Sequence, residues 1–211
     1  MKNQIKNDIK EKSATFLAVD RQIIGLNIET KLVSNMFAYY QKLDTDVESQ
    51  SNIKSKLIVS KALALFENWV KRRTDSLQDK KIPEVIAEIQ RDCFSLLLQV
   101  LIFAIRSDGK IELDEHDNLY SILKETAQGD KWYGVVDSML TESLNVSKIT
   151  DKIRFNEEKL DVYFIAAMIL QGDNFMERNF LESLAASLNI IPSLKTQLEH
   201  RATTYLKNTN V

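Results

Sequence analysis

The chain of 211 residues contains one cysteine, two prolines, five glycines and two histidines. With Cys93 alone, no disulfide can form within the chain, and so few turn-forming residues cannot supply the hairpins of a β-protein. An all-α fold remains, and a hydrophobic content of 44% is enough to give it a core. His116 and His200 make no specific nucleophile and base arrangement with Cys93 or a serine, and no glycine-rich phosphate loop or dinucleotide fingerprint occurs. No noncatalytic reading is displaced by these residues, so no enzyme is expected. Long apolar runs are also missing. The longest, Cys93 to Ile105, is broken by Ser95 and Gln99 and falls well short of the ~20 residues a membrane-crossing helix needs. The N-terminus alternates lysines with polar residues and lacks the apolar stretch and cleavage site of a signal peptide, which predicts a cytoplasmic protein.

Charge of one sign is lacking too. The net charge of −2 argues against a dominant nucleic-acid function. Residues 1–80 hold 14 Lys and Arg against 10 Asp and Glu, a balance of +4, which leaves −6 for residues 81–211. Lys71, Arg72 and Arg73, with the lysines at 2, 6, 10 and 12, read as solvated helix faces rather than a phosphate or lipid site, because electrostatic binding needs a denser patch. Cys93 sits among Phe94, Leu96 and Leu97, so it reads as a packed thiol.

Apolar spacing gives the organisation. Ile9, Phe16, Ile23 and Phe37 form one row and Val19, Leu26, Val33 and Tyr40 the next, which predicts a long helix weakened at Gly25. Lys12 and Thr30 interrupt the rows, so a bundle helix fits better than a dedicated coiled coil. Leu43 to Ser51, with Asp44, Thr45 and Asp46, reads as a turn before a second helix ending near Leu77. The expected arrangement is an N-terminal helical hairpin over residues 1–80 and a helical domain over 81–211. In the second part, Pro83 opens a helix that runs to Arg106 and stops at Ser107-Asp108-Gly109. Helices are expected at Leu113 to Ala127, Lys131 to Leu144, Ser147 to Ile153 and Glu157 to Leu170, the last capped by Asn156. Asn174 and Glu177 approximate a capping box for a helix carrying Phe180, Leu181, Leu184 and Leu188, and Pro192 starts a terminal helix ending near Lys207.

Two acidic turns are the candidate site. Asp108-Gly109, Ile111 and Glu115 match the second half of a calcium-binding EF-hand loop, but the first and third ligand positions fall on Ala104 and Arg106. Glu112 and His116 stand four apart near a helix start, too few nitrogen and sulfur donors for a transition-metal site. Trp132-Tyr133 offers aromatic area to a partner surface or to the core.

Taken in order, the apolar helix Leu101–Ile105, Asp108-Gly109, Ile111, the acidic start at Glu112, Asp114 and Glu115, then Leu160–Leu170, Glu177–Ile190 and Pro192–Leu198 resemble the TerB-like tellurite-resistance family over residues 90–206, particularly its YebE-type branch. The resemblance implies a TerB-like helical bundle, two neighbouring acidic turns able to hold Ca²⁺ or another divalent cation, a setting of stress or tellurite response, and membrane-associated assemblies. Carried over residue by residue, the cation would meet Asp108, Glu112 and Glu115 from the first turn and Asp173 and Glu177 from the second. Gln171 departs from the family by standing where many relatives have aspartate. The competing reading is that Asp108 caps its turn while Glu115 and Glu177 serve exposed N–H groups at helix N-termini. The expectation drawn from all of this is a noncatalytic interaction module with a protein partner, against the alternatives of a calcium sensor and of an enzyme using carboxylate-held metal.

Overall fold

A computed structural model describes residues 48–77, 83–106, 134, 137–140, 145–170 and 175–207. Among the described residues the secondary structure is helical, with no strand. The helices are α1 (Glu48–Asp75), α2 (Pro83–Arg106), α3 (Ser147–Thr150), α4 (Asn156–Leu170), α5 (Phe175–Ser187) and α6 (Pro192–Lys207). None is long and apolar enough to cross a membrane.

The two prolines act as expected. Each occupies the first position of its helix, where the missing N–H costs no intrahelical bond. In α2, Glu84 in the first turn and Arg106 in the last face the matching ends of the helix dipole. The short α3 ends at Thr150, earlier than the expected Ile153, and starts where the Asn145 side-chain oxygen accepts the Ser147 N–H at 2.9 Å. At α4 the expected cap differs. Asn156 is the first helical residue, and the carboxylate that accepts the preceding N–H groups belongs to Glu158, from Arg154 at 2.8 Å and Phe155 at 3.4 Å. A glutamate two positions into the helix thus takes the backward-reaching half of a capping box.

Between α5 and α6 the chain reverses through Asn189, whose φ of 56° is the left-handed conformation that asparagine tolerates better than most residues. The Ile190 N–H bonds the Ala185 carbonyl at 2.9 Å and the Asn189 N–H bonds that of Ala186 at 3.1 Å, the two bonds of a Schellman ending. Ile190 is buried beside it, and Pro192 then forces a fresh helix.

The centre of the molecule is the pair α2 and α4. Helix α4 packs against α1, α2, α5 and α6, and α2 packs against α1, α3 and α4. No residue from Cys93 to Ala104 is more than 3% exposed, so α2 is covered on every side along this stretch. Ile58, Ala62, Leu65, Phe66 and Trp69 of α1 share one hydrophobic cluster with α2 and α4. The expected boundary near Lys80 therefore lies between two helices that close the same core. At roughly 1.5–3 kcal/mol for each large apolar side chain, this burial is the main source of stability. The expected helix over residues 9–40 and that over Leu113 to Ala127 lie outside the described residues, as does Asn174. Of the expected Lys131 to Leu144 helix, Gly134 and residues 137–140 are described and are helical.

Candidate functional site

Helix α1 meets α4 through polar side chains as well as apolar ones. Trp69 and Arg73 stand one turn apart on α1, and Asp161 and Glu158 nearly one turn apart on α4. The Trp69 Nε1–H donates to Asp161 Oδ2 at 2.9 Å. Arg73 forks onto Glu158, Nε to Oε1 at 2.9 Å and Nη2 to Oε2 at 2.9 Å. Its Nη2 also donates to the Lys152 carbonyl at 2.8 Å, and Nη1 donates to Asp92 of α2. Arg154 lies 3.8 Å from the same Asp92. One guanidinium thus joins α1, α2, α4 and the turn before α4.

Both partners of the fork are out of water, with Arg73 5% and Glu158 0% exposed. Burial works against the Arg73 charge, but Glu158 and Asp92 more than offset it and hold the guanidinium above its ordinary value. Lys71-Arg72-Arg73 was expected to be a solvated face, and here that expectation is corrected. Lys71 is exposed and pairs with Asp75 at 3.6 Å, Arg72 is half-buried 4.0 Å from Asp161, and Arg73 is interior. The reason is helical geometry. Residue 73 lies on the same stripe as Ala62, Phe66 and Trp69, facing the core.

Cys93 lies next to this ionic cluster and is fully buried, as its neighbours predict. Burial pushes its thiol up to about 12, with Arg73 pulling the other way. The thiol is packed and unreactive. A second polar link joins α4, α5 and α6. The Tyr163 hydroxyl donates to Glu199 at 2.7 Å, and Lys195 donates to Glu199 at 3.0 Å and Glu182 at 2.9 Å. Burial and the Glu199 carboxylate both raise the Tyr163 pKa, while the two glutamates outweigh burial in raising that of Lys195. Lys61 of α1 sits over the rings of Phe164 and Tyr205, 5.8 and 5.7 Å from their centroids.

Asp108, Glu112, Glu115 and Asp173 lie outside the described residues, as do His116, Gln171, Trp132 and Tyr133. Glu177 is half-buried in the first turn of α5. Ala104, at the first EF-hand ligand position, is fully buried, and Arg106, at the third, donates Nη1 to the Met139 carbonyl at 2.8 Å. Among the described residues no three His, Cys, Asp or Glu side chains converge as metal ligands. His200 is exposed on α6.

The same turn of α5 that carries Glu177 exposes two large apolar residues, Phe175 at 71% and Met176 at 50%. Neither stands out in the sequence, because Met176 stands four residues before Phe180 and reads as the start of the same apolar row, with Phe175 beside it. Phe180, Leu181 and Leu184 turn inward, and Phe175 and Met176 do not.

A family model described as "Protein of unknown function (DUF533)" matches residues 45–202, about three quarters of the chain. The chain belongs to the DUF533 family. DUF533 is a TerB-like family, which agrees with the resemblance carried by residues 90–206 and extends it back through α1. The DUF533 chain is also similar to a protein of Yersinia enterocolitica called "Uncharacterized protein in ampR 5'region", 27% identical over 103 residues, which cover 49% of this chain and 74% of that relative. No solved structure matches.

Proposed function

We propose that this DUF533 protein is a noncatalytic, cytoplasmic interaction module whose helical body presents the N-terminal end of α5 to a protein partner. The observation that carries this reading is the exposure of Phe175 and Met176 side by side in one turn. Aromatic and methionine side chains are enriched at the centres of protein interfaces, because they add much contact area and adapt to their partners. The interior ionisable groups support the same reading. Arg73, Glu158, Tyr163 and Lys195 each bond another helix or the turn beside it, which is the work of a scaffold. The setting we propose is the stress or tellurite response that the TerB-like resemblance implies, with any membrane association made through the partner.

The test is a photo-crosslinking residue at position 175 in the full chain, expressed in the source cell, beside the variant Phe175→Ser/Met176→Ser. One stoichiometric protein adduct is expected at position 175, and the double variant should lose that partner while its thermal midpoint stays within a few degrees. Crosslinks spread over many proteins at low yield would sink the reading. A calcium titration separates the sensor alternative. A cation bound only by the folded chain through Asp108, Glu112, Glu115, Asp173 and Glu177 would stabilise it by ~2.7 kcal/mol at a hundredfold excess over Kd. We expect no rise in midpoint with Ca²⁺ or Mg²⁺, and a rise that Asp108→Asn abolishes would favour the sensor.

A further inference from the structure

Helix α5 buries Phe180, Leu181, Leu184 and Ala185. On its opposite face Phe175, Arg178, Asn179, Glu182, Ser183 and Ala186 recur at spacings of three and four, and every one of them is exposed. This outer face is graded in size. Its N-terminal end carries Phe175, with the exposed Met176 at one edge, and its C-terminal end carries Ser183 and Ala186, with the exposed Ser187 at the same edge. Arg178 and Glu182 lie one turn apart along the other edge. Glu182 offers one oxygen to Lys195 at 2.9 Å, and Arg178 has no ion pair among the described residues.

Such a face is complementary to itself when it is turned around. A two-fold axis crossing it midway between Asn179 and Glu182 sets each residue opposite the one equally far beyond the axis. Phe175 then meets Ala186 of the second copy, and Met176 falls between its Ser183 and Ser187, so that large residues enter the space left by small ones. The two-fold also brings like edges together. Arg178 therefore stands beside Glu182 of the second copy, and the contact occurs twice. Sliding the copies by roughly a turn either way brings Arg178 against Arg178 or Glu182 against Glu182, which fixes the register. A parallel pair would set Phe175 on Phe175 and turn each charged edge toward the uncharged one.

We propose, resting on the reading of the N-terminal end of α5 as a docking surface, that its partner is a second copy of this chain. The two α5 helices pack antiparallel, with Phe175 over Ala186 and Arg178 beside Glu182.

Sedimentation of the full chain over a concentration series should show a reversible dimer. Arg178→Glu and Glu182→Arg alter exposed side chains, and Lys195 keeps its bond to Glu199 at 3.0 Å, so the fold should be retained. Each change sets like charges together twice and should weaken the dimer about tenfold or more. Mixed in equal amounts, the two variants present opposite charges at both contacts and should associate again, a rescue that loss of fold cannot imitate. A parent chain that stays monomeric, or single variants that associate no better mixed than apart, would overturn the second copy as the partner. The crosslink from position 175 separates the two readings. A stoichiometric adduct with a different protein would keep the docking surface and remove the second copy, whereas scattered adducts from a monomeric chain would remove both.

Discussion

Glu158 is fully buried, and its carboxylate accepts the fork from Arg73 and the N–H groups of Arg154 and Phe155. Replacing a buried ion pair with matched apolar groups can be neutral, but removing one partner strands the other. Glu158→Gln should therefore lower stability to urea by about 3–5 kcal/mol, moderated by the remaining contact of Arg73 with Asp92. The double variant Arg73→Met/Glu158→Met should recover much of the loss. A loss below about 1 kcal/mol in the single variant would mean that Asp92 and the Lys152 carbonyl together satisfy the guanidinium. Cys93 gives a different signature. Its folded thiol titrates at about 12, well above the ~8.5 of an unfolded cysteine. Its contribution to stability is complete below pH ~8.5 and is lost as pH rises toward the folded value, by up to about 1.4 kcal/mol per pH unit. Between pH 8 and 10, the urea midpoint of Cys93→Ala should fall less steeply than that of the parent chain. Parallel slopes would show that the thiol is not what the alkaline limb reports.

At the scale of elements, α1 decides what counts as a folding unit. Ile58, Ala62, Leu65, Phe66 and Trp69 are buried against α2 and α4, and Trp69 and Arg73 satisfy carboxylates on α4. A fragment beginning at Lys81 would bare that face of the core and leave Glu158 unpaired. It should stay partly helical by circular dichroism but lose cooperative unfolding, and a sharp two-state transition would show that residues 81–211 close a core by themselves. Helix ends were the most legible part of the sequence. Pro83 and Pro192 mark starts, and the apolar periods of α2 and α6 end at Arg106 and Lys207, because local chemistry sets helix termini. The pairing of Arg73 with Glu158 was not legible. The two are 85 positions apart, and an arginine beside Lys71 and Arg72 looks like surface until its stripe is known to face a core. Phe175 and Met176 were missed for the opposite reason, since an apolar residue in a capped helix start reads as core until its neighbours turn away from it. Of the acidic positions, Glu177 lies where the capping pattern predicts, in the first turn of α5.

For the whole molecule, the covered stretch of α2 has a consequence for how the cell handles this protein. Cys93 to Ala104 is buried in the folded state, and among the described residues α1, α3 and α4 pack against its helix. Detachment of α1 or α4 would uncover an almost unbroken apolar surface on a preformed helix. Chaperones and proteases survey for surfaces of that kind, and a loss of 1–2 kcal/mol can change abundance several-fold. Variants that loosen α1 would then be cleared or aggregate before they accumulate as soluble, half-folded protein. The amount of protein in the cell would become a readout of whether α1 is seated.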